Sequence, residues 1–293
     1  DERIEVKDPG TGQTIDSVPK ATQKDVLTAL ATAEQARATM SSLTGYERFQ
    51  ILRRTADLLT KHKEELARTL SREEGKPLRE SLYEVERSAN TMELSGEEAK
   101  RISGEVLPLD GGPGVQKELG FTLRVPCGVV AAITPFNFPL NLVCHKVGPA
   151  LAAGNSVILK PASDTPLSAL KLIEILLGAG LPENAISCLT GSGAMIGSML
   201  CGDSRVRKIS FTGSQEVGEQ ICRLAGVKRV TMELGSNCPL IVLPDANLKK
   251  VAEMAAIQGF VNAGQVCISA QRLIVSDEVH DEFIDHLVPR VKS

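Results

Sequence analysis

The stretch "GVVAAITP", Gly128–Pro135, is an apolar run of strand length without polar alternation. A strand with one solvated face alternates with period two, so an unbroken apolar run reads as a strand buried on both faces. The residues after it repeat the theme. "LNLVCHKVGPALAAG" (140–154) is helical in pattern, "SVILKP" (156–161) is another short apolar run, and "PLSALKLIEILLGAG" (166–180) is helical again. The alternation continues through "ISCLTG" (186–191), "AMIGSMLCG" (194–202), "VRKISFTG" (206–213), "SQEVGEQICRLAG" (214–226) and "KRVTMELG" (228–235). This predicts an α/β fold: a doubly wound parallel sheet, Rossmann-like, with helices on both faces.

Upstream, residues 22–100 read as helical. Thr22 is a candidate N-cap, Phe49, Leu52, Ala56 and Leu59 share one helical face, and Pro77 stands in a first-turn position. Residues 103–127 hold two extended stretches around a Gly/Pro cluster and predict a protruding hairpin. Downstream, "PLIVLP" (239–244), a helix from about Asp245 to Val261 and the strand "QRLIV" (271–275) restart the alternation. The expected organisation is a cofactor-type domain over 1–235 and the start of a second α/β domain over 236–293.

With 293 residues and 42% hydrophobic content the chain can bury a sizeable core. Aromatic residues make up only 3%, so that core is aliphatic. A net charge of -3 without a basic stripe argues against bulk nucleic-acid binding. No apolar run reaches membrane-spanning length, and no signal peptide is read at the start. The seven cysteines are scattered without a CxxC pair, which fits neither a disulfide framework nor a zinc site. Reduced thiols in a cytoplasmic protein are the expectation.

Five stretches carry candidate chemistry. In "ISFTGSQEVG" (209–218) a strand runs directly into a helix N-terminus, where free N–H groups bind phosphate; a capped turn without ligand has the same pattern. Lys160 ends a buried strand, either facing a ligand crevice or solvated. Asn137 lies in "ITPFNFPLN" (133–141), stiffened by Pro135 and Pro139, as an oxyanion donor or a turn former. Glu233 in "TMELGS" (231–236) is a general-base candidate if its context is apolar, or else a capping or paired acid. Cys267 in "NAGQVCISAQR" (262–272) is a candidate nucleophile, with Gly264 leaving room for close approach. The other six cysteines and His145 read as packing residues, and Lys146 and Arg272 as surface or supporting charges that could also meet an acidic substrate.

The ordered motifs P-F-N-F-P, K-P-A, F-T-G-S, M-E-L-G and G-Q-V-C resemble the aldehyde dehydrogenase superfamily over essentially the whole chain. "KPASDTPLSAL" and "NAGQVC" are most similar to the branch holding succinate-semialdehyde and lactaldehyde dehydrogenases. The resemblance implies oxidation of a small aldehyde with NAD or NADP. It makes Cys267 the nucleophile, Asn137 and the Cys267 N–H the oxyanion hole, and Glu233 the base that activates water against a thioester. It places Lys160 on the adenosine ribose, and Gly213 and Ser214 at the pyrophosphate. Phe211, Val217, Gly193 and Gly197 would line the adenine and ribose site, and Ile133, Thr134, Pro135, Phe136, Leu234 and Gly235 the nicotinamide side. NAD-preferring relatives often carry Glu where this chain has Ser163, which implies that NADP is accepted; Asp164 beside it weighs the other way.

The hairpin resembles an oligomerisation arm, which implies a homodimer or homotetramer. The family's second glutamate, in an E-x-F-G-P stretch, and its C-terminal strand are not in this sequence, so the chain is expected to be part of a longer enzyme. A CoA-acylating relative and a non-catalytic cofactor-binding fragment remain the alternatives, the first disfavoured by Glu233.

Overall fold

A computed structural model describes residues 2–114 and 118–292. They form two compact units, Asp1–Thr212 with Glu219–Met232, and Gly213–Gly218 with Glu233–Ser293.

The first unit begins with an antiparallel pair, β1 (Arg3–Lys7) and β2 (Thr14–Pro19), then four helices: α1 (Gln23–Ser42), α2 (Gly45–Lys61), α3 (Lys63–Glu74) and α4 (Leu78–Ala99). The helical reading of 22–100 therefore holds. Thr22 and Thr44 each close a capping box, with Asp25 and Glu47 reaching back to the cap N–H, which satisfies donors that a helix start leaves open. Leu52, Ala56 and Leu59 are buried as the spacing required, and Pro77 precedes α4 as its cap residue. The hairpin is reduced to short antiparallel strands, β3 (Val106–Leu107) and β4 (Gly120–Phe121); residues 115–117 of it lie outside the described residues.

The central sheet contains β5 (Val129–Ile133), β6 (Ser156–Lys160), β7 (Ile186–Cys188), β8 (Val206–Gly213) and β9 (Arg229–Leu234). The order is β7-β6-β5-β8-β9, and the β5–β6, β5–β8 and β6–β7 pairs are parallel. Its crossovers contain α5 (Asn141–Ala152), α6 (Leu167–Gly178), α7 (Gly193–Gly202) and α8 (Gln215–Ala225). Every residue of β5 and β6 is buried, which is why their sequences do not alternate. One core joins Leu52 and Leu59 of α2, Leu66 and Leu70 of α3, Val85 and Met92 of α4, and Val143 and Val147 of α5 with Val130 and Leu159 of the sheet. Gly148 lets α5 approach α4 closely: a Cβ there would stand 2.7 Å from Ser95 Oγ.

The first strand of this sheet, β5, lies in its middle, and the winding reverses between β5 and β8. In open parallel sheets, ligands bind outside the carboxyl ends of the strands at such a reversal.

The second unit contains the parallel pair β10 (Pro239–Val242) and β11 (Arg272–Val275), with α9 (Leu248–Phe260) and α10 (His280–Lys292). Val242, Leu248, Ala252, Ala255 and Phe283 form its own small core. The helix expected from Asp245 starts at Leu248 because the Asn247 side chain caps it, accepting from Lys250 N.

Candidate active site

Within the first unit the carboxyl ends of β5, β6 and β8 bring several predicted residues together. Ile133 pairs in register with Lys160 on one side and with Phe211 on the other. The next residues, Thr134 and Thr212, are buried, and each hydroxyl lacks a hydrogen-bond partner in the structure. A buried hydroxyl in that state costs on the order of 1–3 kcal/mol, which a polar ligand at the strand ends would recover. Phe136 is exposed and Phe211 is buried.

Lys160 is 4% exposed. Its ammonium donates to the Pro161 carbonyl at 2.6 Å and to Ser163 Oγ at 3.4 Å. Two of its three donors are thus engaged, which leaves one for a ligand. Burial pushes this lysine below its usual range, with Cys188 and Asp164 nearby opposing. Burial likewise pushes the Cys188 thiol up to about 12, against the pull of Lys160. Ser163 donates to the Gly191 carbonyl at 2.9 Å. Across from this lysine, a Cβ on Gly193 would meet only Lys160 Cε and Nζ, both at 4.0 Å, and one on Gly197 would meet nothing within 4 Å. A buried cation beside open glycine backbone and two orphaned hydroxyls fits a dinucleotide: ribose oxygens for Lys160, and polar ring substituents for the threonines.

Asn137 lies on the segment between β5 and α5. Its backbone carbonyl accepts from Lys76 Nζ at 2.6 Å, and Lys76 also lies over the Phe138 ring, 4.1 Å from its centroid. Lys76 pairs with Glu84 at 2.7 Å, and Glu84 accepts from the N–H groups of Leu140 and Asn141, both at 3.0 Å.

In the second unit, Ser214 accepts weakly from Val217 N at 3.4 Å, so the phosphate-type turn is also a self-capped one. A Cβ on Gly218 would stand 2.7 Å from Leu234 Cδ2, which seats this turn against the end of β9. Glu233 is exposed, which corrects the apolar context read from its neighbours: Met232 and Leu234 point the other way along the strand and are partly buried.

Cys267 is exposed on a turn after α9. Asn262 (φ 49), Ala263 (φ 55) and Gly264 (φ 77) take left-handed conformations in succession. Gly264 is therefore needed for its own backbone, with the Gly259 carbonyl 3.2 Å from any Cβ it might carry. Ser269 ties the turn to α9 by donating to the carbonyls of Gln258 and Gly259, each at 3.3 Å. The chain leaving Glu233 also reaches this turn: the Cys238 thiol donates to the Cys267 carbonyl at 3.3 Å. Asn137 belongs to the first unit, and Glu233 and Cys267 to the second.

Three readings need correction. Lys146 is buried, not a surface charge, and its ammonium donates to Ser210 Oγ at 3.4 Å. His145, expected inside, is exposed, and so is Cys222, because both fall on the outward side of their helices. The sequence reading also missed Thr212, Lys76 and Glu84. Thr212 sits inside the F-T-G-S motif, and its place there, one residue past Phe211 at the end of a strand, was the available signal. The two charges carried none, since charged residues normally face solvent.

Among the described residues no helix is long and apolar enough to cross a membrane, and no group of three or more His, Cys, Asp or Glu is placed to hold a metal ion. All seven cysteines are free.

Comparison with known proteins bears on the family of the chain. The chain is 49% identical over 286 residues to a 3-sulfolactaldehyde dehydrogenase of Priestia aryabhattai, covering 98% of this chain and 60% of that protein. It is 43% identical over 288 residues to the succinate-semialdehyde dehydrogenase [NADP(+)] GabD of Escherichia coli, covering 98% and 59%. The structure superposes on the NADP-dependent glyceraldehyde-3-phosphate dehydrogenase of Bacillus halodurans, solved with NADP, with a TM-score of 0.96, 37% identity and coverage of 99% and 61%. The chain thus spans about 60% of the length of these relatives. The profile of the aldehyde dehydrogenase family matches residues 1–293, and the chain belongs to that family.

Proposed function

We propose that this chain provides the cofactor-binding part, residues 1–235, and the opening of the catalytic part, residues 236–293, of an NAD(P)-dependent aldehyde dehydrogenase that converts a small aldehyde to its acid. The observation that carries the reading is the group of polar atoms gathered at the carboxyl ends of β5, β6 and β8: a buried Lys160 with a donor to spare, open backbone at Gly193, and orphaned hydroxyls on Thr134 and Thr212.

The chemistry assigns each group a task. The Cys267 thiolate attacks the aldehyde carbon. Asn137 and the Cys267 N–H donate to the resulting oxyanion, which preorganised donors stabilise strongly. A nicotinamide held at the strand ends by Lys160 and its neighbours would supply the acceptor for the hydride that leaves as the oxyanion collapses. Glu233 then takes a proton from water that attacks the thioester, releasing acid and thiolate. Lys160 and Ser163 hold the adenosine ribose, and Gly213 and Ser214 offer the helix N-terminus to the pyrophosphate. Two relatives are named for aldehydes bearing an anionic group, which favours a small anionic aldehyde. The exposed Leu119, Phe121 and Leu123 of the hairpin favour assembly as a homodimer or homotetramer, and the free thiols favour a cytoplasmic protein.

The test is aldehyde-dependent reduction of NAD or NADP by the full-length protein across short neutral and anionic aldehydes. Turnover is expected, with loss in Cys267→Ser; cofactor binding without turnover on any aldehyde would refute the reading.

A further inference from the structure

Lys76 stands where α3 gives way to α4, in a charged stretch, yet its side chain and that of Glu84 are wholly buried. Glu74, also buried, lies 3.8 Å from the same ammonium. A buried ion pair is seldom the most stable choice for a core, because desolvation offsets the attraction. What distinguishes this one is where its remaining hydrogen bonds go. Lys76 donates to the Asn137 carbonyl at 2.6 Å, and Glu84 accepts from Leu140 N and Asn141 N at 3.0 Å. The pair therefore grips both ends of Asn137–Asn141. Pro139 stiffens this segment but offers no N–H to anchor it, and α5 has no side-chain cap of its own. Glu84 supplies that cap from α4, with its charge at the favourable end of the helix. The Phe138 ring packs against the ammonium from between the two anchor points.

We propose that Lys76 and Glu84 are positioning residues: they fix the Asn137 backbone so that its amide is held ready to donate to the oxyanion. This inference rests on the aldehyde dehydrogenase reading above. Without the clamp the segment keeps its sequence and loses its aim, and a misplacement of about 1 Å at such a donor lowers turnover by roughly 100-fold.

The experiment is a double-mutant cycle in the full-length protein, with Lys76→Met, Asn137→Ala and both together, reading kcat, KM and cofactor Kd. Asn137→Ala is expected to lower kcat by about 100- to 1000-fold. Lys76→Met is expected to lower kcat by at least ~10-fold, with cofactor Kd and aldehyde KM within about twofold, and to cost less than about twofold once Asn137 is already Ala. Glu84→Gln, which keeps the shape, carries the same expectation and serves if Lys76→Met does not fold. Equal losses in both backgrounds, or unchanged kcat in folded Lys76→Met and Glu84→Gln, would overturn the positioning role while leaving the enzyme reading intact. A wild-type protein without turnover overturns the enzyme reading and this inference with it, whereas an Asn137→Ala without loss overturns the oxyanion role of Asn137 and this inference while leaving the enzyme reading intact.

Discussion

The ammonium of Lys160 lies 3.4 Å from the hydroxyl of Ser163, which in turn donates to the Gly191 carbonyl. A neutral donor-acceptor thus stands beside the lysine proposed to hold the adenosine ribose, where a carboxylate would repel a 2′-phosphate. The expected outcome is that the full-length protein uses NADP at least as well as NAD. Ser163→Glu should shift the ratio of kcat/KM toward NAD by about tenfold or more, since two like charges at about 4 Å repel by roughly 4 kcal/mol at an effective dielectric of 20. Measuring both cofactors on wild type and variant checks this; a wild type with strong NAD preference contradicts it.

Thr212 offers a test with two readouts of opposite sign. Its buried hydroxyl has no partner in the structure, so Thr212→Val should raise the stability of the cofactor-free protein, by about 1 kcal/mol. The same change should weaken cofactor binding. Thermal unfolding with and without NADP reads both, and a variant less stable without cofactor, with unchanged affinity, would show that the hydroxyl is satisfied by other means.

Glu73 gives the fold a pH dependence. Its buried carboxylate accepts from Leu167 N at 2.7 Å and Ser168 N at 3.0 Å, holding the start of α6. Burial raises its pKa from 4.5 to about 7, outweighing these hydrogen bonds, which act downward. A carboxyl whose pKa is higher folded than unfolded binds its proton more tightly in the native state. The resulting stabilisation is full below pH 4.5 and disappears as pH rises through about 7. Each pH unit of that window is worth up to about 1.4 kcal/mol. Glu73→Gln cannot titrate, so wild type should lose stability relative to the variant between pH 5 and pH 8. Denaturant midpoints at the two pH values check this, and a constant gap would count against it.

The turn before Cys267 predicts opposite effects at neighbouring positions. Ala263 is left-handed (φ 55), which costs an L-residue about 1 kcal/mol, so Ala263→Gly should be neutral to stabilising by up to that amount. Gly264→Ala must take φ 77 with its Cβ 3.2 Å from the Gly259 carbonyl, and should cost about 1–2 kcal/mol. It should also change the alkylation rate of Cys267 as the turn shifts. Unfolding midpoints and thiol labelling of the two variants provide the comparison.

Most of the local pattern was legible in the sequence, although the outward positions of His145, Cys222 and Glu233 were not. The unbroken apolar runs of β5 and β6, the Thr22 cap and the return to strand at Pro239 are each encoded by residues a few positions apart. The five motifs of the candidate site were visible for the same reason, since each is a strand end or turn with its own short pattern. The β1–β2 pair escaped notice because only Val6 and Val18 are fully buried in it, and its remaining residues look like charged surface. The tertiary structure alone decided which charges go inside. Lys76, Glu84, Glu73 and Lys146 read like any surface residues in their helical stretches, yet each is buried. Their partners stand 61, 57, 94 and 64 residues away along the chain, at Asn137, Asn141, Leu167 and Ser210. Helix and strand follow from neighbours in sequence. A buried charge is tolerated only where distant backbone and side chains converge to replace its water, and that convergence exists only once the chain has folded.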